Sequence, residues 1–217
     1  MKVRIKMCGT TRVEDAEAAV ALGVDALGFI FAVKSPRYVA PDQAAALIDN
    51  LPPFIARVGV FVDSTLELVK DVVTAAGLTQ VQLHGLESND YCRELKNWNR
   101  SLTVCKAFRV GRGAGEPDLP SYSGVVDCLL FDTYVQGMEG GTGQTFDWDV
   151  IARLRSDLPV ILAGGLNPEN VGEAILRTTP YAVDVNSGVE DSPGVKNHEM
   201  LARLVACVRR AETELGG

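Results

Sequence analysis

At 217 residues with 47% apolar side chains, the chain can bury a full core, and one large domain over residues 1–217 is a simpler reading than two small ones. A formal charge of −7 and a pI near 4.9 exclude the clustered basic surface that holds nucleic acid, while an anionic small molecule remains open to local positive groups. No stretch reaches about 18 uninterrupted apolar residues, and Met1-Lys2-Val3-Arg4 opens into an alternating strand rather than a signal peptide. A cytoplasmic protein without membrane contact is therefore expected.

Short β-branched runs alternate with helical patterns along the whole chain, the signal for consecutive βα units and a parallel sheet. In chain order, strands are predicted over 3–7, 26–31, 55–62, 80–83, 103–108, 128–131, 160–163 and 182–185. Apolar residues at 3.6-residue spacing predict helices over 13–22, 43–50, 66–76, 90–98, 147–154, 169–177 and 199–214. The fifth unit lacks a convincing helix, because 111–123 is rich in Gly, Pro and Ser; a short or irregular one is expected there. Eight units without a linker-like stretch predict an α/β fold, a single-domain (β/α)8 TIM barrel, rather than an open doubly wound sheet.

In such barrels chemistry sits at the C-terminal ends of the strands. Those positions here read Cys8-Gly9, 32–38, Asp63, His84-Gly85, Arg109, Asp132-Thr133, Gly164-Gly165 and Asn186-Ser187-Gly188. A thiol and a carboxylate, Cys8 and Asp132, thus face one mouth, which suggests an acid/base enzyme with Cys8 as base.

Gly164-Gly165 and Ser187-Gly188 fall in adjacent loops where bare backbone N–H groups and a helix N-terminus commonly bind phosphate. Either pair alone could simply make a tight turn; together they favour phosphate. Gly140-Gly141-Thr142-Gly143 has the composition of a loop that closes over a ligand, or of a surface turn. Arg37, in the long second loop, either holds a carboxylate by its planar fork or is a solvated surface arginine.

Strand alternation turns Val3, Ile5 and Met7 toward the helices and Arg4, Lys6 and Cys8 into the barrel. Buried cations need partners, and Asp184 on the closing strand is the obvious one for Lys6 or Arg4. Residual positive potential would then favour the Cys8 thiolate; an internal ion pair that only fills the barrel is the alternative. Gln82 and His84 share the inward face of strand four, where both could hydrogen-bond a ligand, or His84 could serve structure alone. His198 reads as a surface or capping residue. Five dispersed cysteines without a C-x-x-C pair, and only two histidines, indicate neither disulfides nor a metal site; Cys92, Cys105, Cys128 and Cys207 read as small buried hydrophobes.

The strings Lys6-Met7-Cys8-Gly9-Thr10-Thr11, Ala26-Leu27-Gly28-Phe29-Ile30-Phe31, Lys34-Ser35-Pro36-Arg37-Tyr38-Val39, Val81-Gln82-Leu83-His84-Gly85, Gly164-Gly165-Leu166-Asn167-Pro168-Glu169-Asn170 and Val183-Asp184-Val185-Asn186-Ser187-Gly188-Val189-Glu190 resemble, in order, the motifs of the phosphoribosylanthranilate isomerases of tryptophan biosynthesis. The resemblance runs from residue 3 to about residue 200. It implies an Amadori rearrangement of N-(5-phosphoribosyl)anthranilate to 1-(2-carboxyphenylamino)-1-deoxyribulose 5-phosphate, with no cofactor and no metal. The oligomeric state is left open between monomer and homodimer.

By the same resemblance Asp132 is the general acid at the ring oxygen and Cys8 the base at ribose C2. Arg37 then lies near the anthranilate carboxylate, and Gly164, Gly165, Asn186, Ser187 and Gly188 contact the phosphate. An ordinary carboxyl is ionised at neutral pH, so the acid must be kept protonated by the site or receive a proton as the thiol ionises. Two departures stand out, Asn186 where Ser is common and Asn197 where Asp is usual. Related phosphosugar epimerases, lyases and the histidine-pathway isomerase share such phosphate loops, but the last uses an aspartate where this chain has Cys8. A phosphosugar-binding barrel without turnover is the non-enzymatic alternative, against which an intact Cys8 and Asp132 argue.

Overall fold

The structure is a computed structural model and describes residues 2–110, 122–132, 148–153 and 156–216. Eight parallel strands close into one barrel in sequence order: β1 (Arg4–Met7), β2 (Ala26–Ile30), β3 (Ala56–Phe61), β4 (Gln80–Leu83), β5 (Thr103–Arg109), β6 (Cys128–Asp132), β7 (Val160–Ala163) and β8 (Ala182–Val185). Pairing of β1 with β8 closes the ring and sets Lys6 beside Asp184. Around it run α1 (Val13–Ala21), α2 (Pro41–Ile48), α3 (Leu66–Ala76), α4 (Asn89–Trp98), α5 (Trp148–Arg153), α6 (Val171–Thr178) and α7 (His198–Gly216). Among the described residues no helix is long and apolar enough to cross a membrane.

The period-2 pattern decides the two layers of the core. Val3, Ile5, Met7, Leu27, Phe29, Val81, Leu83 and Leu129 meet the helices, together with Ala16, Leu47, Val69, Leu95 and Leu204. Inside the barrel the opposite faces supply Cys8, Ile30 and Val60 near the mouth and Cys105, Ala107, Cys128, Leu130 and Ala163 elsewhere. Cys92, Cys105 and Cys128 are buried as expected; Cys207 is only half-buried, because its face of α7 borders solvent.

Several helix starts depart from the pattern where a proline or a capping hydrogen bond takes over. α2 begins at Pro41, two residues early, since the proline's fixed φ and missing N–H suit the first helical position. α6 begins at Val171 rather than 169, because the Asn167 side chain accepts from the N–H groups of Glu169 and Asn170 and makes a turn there first. Asn197 accepts from Met200 N–H at 2.9 Å and so opens α7, which makes Asn197, not His198, the capping residue. His198 instead places Nε2 2.8 Å from Asp15 on α1.

The pattern misses a hairpin between β8 and α7. After one 3-10 turn at Ser187–Val189, β9 (Glu190–Ser192) and β10 (Val195–Lys196) pair antiparallel across Pro193-Gly194. Proline followed by a glycine at φ +83 suits a tight reversal. The expected irregular helix of 111–123 and the loop Gly140-Gly141-Thr142-Gly143 fall mainly or wholly outside the described residues, as does Thr133.

Candidate active site

The strand tips open into one mouth, and β1 delivers Cys8 to it. The thiol is 5% exposed and packs against Ile30 and Val60. One residue pair below, Lys6 Nζ donates to Asp184 Oδ2 at 2.6 Å, with both side chains buried. Of the two cations predicted to face inward, Lys6 therefore takes the carboxylate; Arg4 stacks over the Tyr181 ring at 4.1 Å. Asp184 Oδ1 is buried and has no hydrogen-bond partner among the described residues.

Gly28 on the neighbouring strand keeps this corner tight. A Cβ there would stand 2.8 Å from Cys8 Sγ and 3.1 Å from Lys6 Nζ, so thiol and ammonium approach each other over a residue without a side chain. Burial works against charge on Lys6, but Asp184 and Cys8 outweigh it and hold the ammonium above its ordinary range. Burial likewise pushes the Cys8 thiol up, with Lys6 pulling the other way and Asp184 adding to the rise. The expectation of a lowered thiol is thereby corrected: a desolvated corner whose cation is already matched by Asp184 favours the neutral form.

Across the mouth, β4 and β6 bring His84 and Asp132 together, with Nε2 and Oδ2 3.2 Å apart and each side chain about one-fifth exposed. Gln82 lies deeper, 2% exposed, and its amide nitrogen is 3.4 Å from His84 Nδ1. If the amide donates there, the remaining imidazole proton sits on Nε2 and points at Asp132. Beyond the ligand-binding and structural roles open to His84, its position adds a contact with the candidate acid.

Arg37 arrives from the loop after β2, but its fork is already engaged. Nε lies 2.9 and 3.0 Å from the two oxygens of Glu190, and Nη2 2.6 Å from one of them. Lys196, wholly buried, reaches Glu190 at 2.7 Å and the Asn186 side-chain oxygen at 3.0 Å. Burial alone would raise the Glu190 carboxyl, yet the contacts from Arg37 and Lys196 hold it below its ordinary value. Burial lowers Lys196, and Glu190 offsets only part of that. With Oδ1 of Asn186 given to Lys196, its amide N–H groups remain as donors.

The expected phosphate loops are neighbours. Gly164 and Gly165 have φ of +94 and +62, a backbone that other residues rarely adopt. A Cβ on Gly188 would collide with the Leu166 carbonyl, so the turn after Ser187 packs directly on the loop after β7. Asn170 ties that loop by donating to the Gly165 carbonyl at 3.0 Å.

Sequence reasoning missed a second buried pair behind His84. Lys106 on the helix side of β5 donates to Glu87 at 2.8 Å and to the Gly85 carbonyl at 2.7 Å. Glu87 in turn accepts from the N–H groups of Asp63 and Gly85, both at 2.9 Å. This knot fixes the loop that starts at His84. A lysine set between Cys105 and Ala107 within β5 was its signal.

The family model described as N-(5'-phosphoribosyl)anthranilate (PRA) isomerase matches residues 5–207. The chain belongs to this family. It is 46% identical over 203 residues to N-(5'-phosphoribosyl)anthranilate isomerase of Geobacter sp. strain M21, covering 94% of this chain and 96% of that one. To the same-named protein of Pseudomonas fluorescens strain Pf0-1 it is 47% identical over 211 residues, covering 95% and 98%. Among solved structures, the Thermotoga maritima phosphoribosyl anthranilate isomerase superposes with a TM-score of 0.85 at 40% identity, over 96% and 99% of the two chains. A family member in complex with reduced 1-(o-carboxyphenylamino)-1-deoxyribulose 5-phosphate gives 0.80 at 38% identity, over 96% and 99%.

Proposed function

We propose that this chain converts N-(5-phosphoribosyl)anthranilate to 1-(2-carboxyphenylamino)-1-deoxyribulose 5-phosphate, an Amadori rearrangement in tryptophan biosynthesis, with Asp132 as general acid and Cys8 as general base. The observation that carries the reading is the opposition of Cys8 and the Asp132–His84 pair at the tips of β1 and β6 in one barrel mouth. Asp132 gives its proton to the ring oxygen as the C1–O bond breaks, leaving a protonated imine. That imine acidifies C2, and the Cys8 thiolate takes the C2 proton, forming an enolamine. As the enolamine becomes the ketone, the C2 hydroxyl proton leaves and C1 gains one.

Each supporting residue has a physical task. Lys6, held by Asp184, stabilises negative charge on Cys8 when the substrate binds and the thiol ionises. His84, oriented by Gln82, holds the Asp132 carboxyl and so fixes the group that serves the ring oxygen. Arg37 meets the anthranilate carboxylate. Gly164, Gly165, Asn186, Ser187 and Gly188 receive the phosphate through N–H donors that no side chain obstructs. Proton transfers of this kind call for no metal and no organic cofactor. The reading is of a single-domain cytoplasmic enzyme, monomer or homodimer, acting on a small phosphosugar.

Loss of the substrate's anthranilate fluorescence tests it. The unmutated chain should turn over, while Cys8→Ala and Asp132→Ala should each lose roughly 100- to 10,000-fold in kcat. Binding without turnover by the unmutated chain would overturn the reading in favour of a phosphosugar-binding barrel.

A further inference from the structure

Two cations and one anion meet in the Arg37, Lys196 and Glu190 cluster, so it carries a surplus positive charge. Lys196 is spent: its ammonium faces Glu190 and the backbone and side-chain oxygens of Asn186, and it is wholly buried. The surplus therefore belongs to Arg37, whose side chain is 17% exposed. Glu190, at 3% exposure, grips only the Nε and Nη2 edge; Nη1 makes no hydrogen bond among the described residues. The β9–β10 hairpin places Glu190 and Lys196 as direct cross-strand partners, which fixes the carboxylate before any ligand arrives. Gly9, next to Cys8, completes the seat: a Cβ there would stand 2.7 Å from Arg37 Cδ and 2.8 Å from Asn186 Oδ1.

We propose that Glu190 is a positioning residue for substrate selection, holding the Arg37 guanidinium by its Nε and Nη2 edge so that the Nη1 edge meets the anthranilate carboxylate beside Cys8. The inference rests on the reading that Arg37 receives that carboxylate. A guanidinium free to rotate would lose side-chain entropy on binding; one already fixed by a buried carboxylate does not. The buried ammonium of Lys196 keeps Glu190 ionised and aimed, so the substrate is selected by a chain of three side chains of which only the outermost touches it.

The test uses two probes, reduced 1-(o-carboxyphenylamino)-1-deoxyribulose 5-phosphate and the same compound built on aniline, which lacks the carboxylate. Affinities are measured for the full chain and for Glu190→Gln, Arg37→Ala and the two combined, and KM and kcat are taken with the natural substrate. The unmutated chain should prefer the carboxylate probe, and Arg37→Ala should erase the preference. Glu190→Gln should cut it roughly 10-fold, raising KM with kcat little changed, and should add nothing on top of Arg37→Ala. If Glu190→Gln does not fold, the Glu190→Gln, Lys196→Met double variant, which removes both buried charges, carries the same comparison. Equal weakening of both probes, or an unchanged preference in Glu190→Gln, overturns the proposal. An unchanged preference in Arg37→Ala instead overturns the Arg37 reading beneath it.

Discussion

The two sides of the barrel mouth treat charge in opposite ways. On the β1 and β8 side, Cys8, Lys6, Asp184, Lys196 and Glu190 are all nearly excluded from solvent, and each charge is matched within about one side chain's reach. On the β4 and β6 side, His84 and Asp132 lie at the rim, each about one-fifth exposed, with Gln82 buried beside His84 and the Lys106–Glu87 pair buried behind the loop that starts there. Protons at the rim can exchange with water, whereas the thiol corner must supply its own electrostatics. The contrast fits the two tasks proposed for these groups: an acid that must be reprotonated every turnover, and a base whose charge is needed only while substrate covers it.

The contrast can be broken from either side, and the largest effects lie in turnover. His84→Ala removes the contact to Asp132 without touching the acid and should lower kcat roughly 10- to 100-fold, read by the fluorescence assay. Asp184→Ala leaves Lys6 buried and unmatched, which should cost about 3–5 kcal/mol in urea unfolding; pairing it with Lys6→Met should restore most of the loss. Gly28→Ala pushes a methyl between thiol and ammonium and should cost about 1–3 kcal/mol of stability, with reduced kcat and unchanged substrate phosphate affinity. The smallest effects concern pH. In the empty site burial raises the thiol, which predicts a Cys8 alkylation rate that climbs with a midpoint above that of an ordinary cysteine. Glu190, held below the ordinary carboxyl value by Arg37 and Lys196, adds stability that is present above that ordinary value and lost as pH falls through its folded value. Glu190→Gln should flatten that acid limb of the melting profile.

Which parts of this were legible in the sequence follows from range. The barrel, its order and the inward face of β1 rest on periods of a few residues, and closure of an eight-unit ring dictates that Lys6 meets Asp184. Cys8, Asp132 and the glycine loops could be placed because they follow directly on strands. By contrast, Arg37 and Glu190 are 153 positions apart and meet through a hairpin of three and two residues, too short to show any period. Lys106 and Glu87 join a strand's outer face to a loop, a relation no periodicity encodes. The sign of the Cys8 shift was misread because positive neighbours can be counted from sequence, but the desolvation that opposes them cannot.

The central claim is that Cys8 removes the proton from ribose C2. It is tested most directly by comparing turnover of substrate carrying hydrogen or deuterium at C2, with the unmutated chain and with Cys8→Ser. A serine hydroxyl is far less ionised than a thiol and should make C–H cleavage limiting, so the account predicts slow turnover by Cys8→Ser with a primary isotope effect. Undiminished turnover by Cys8→Ser, or slow turnover with no isotope effect, would contradict it.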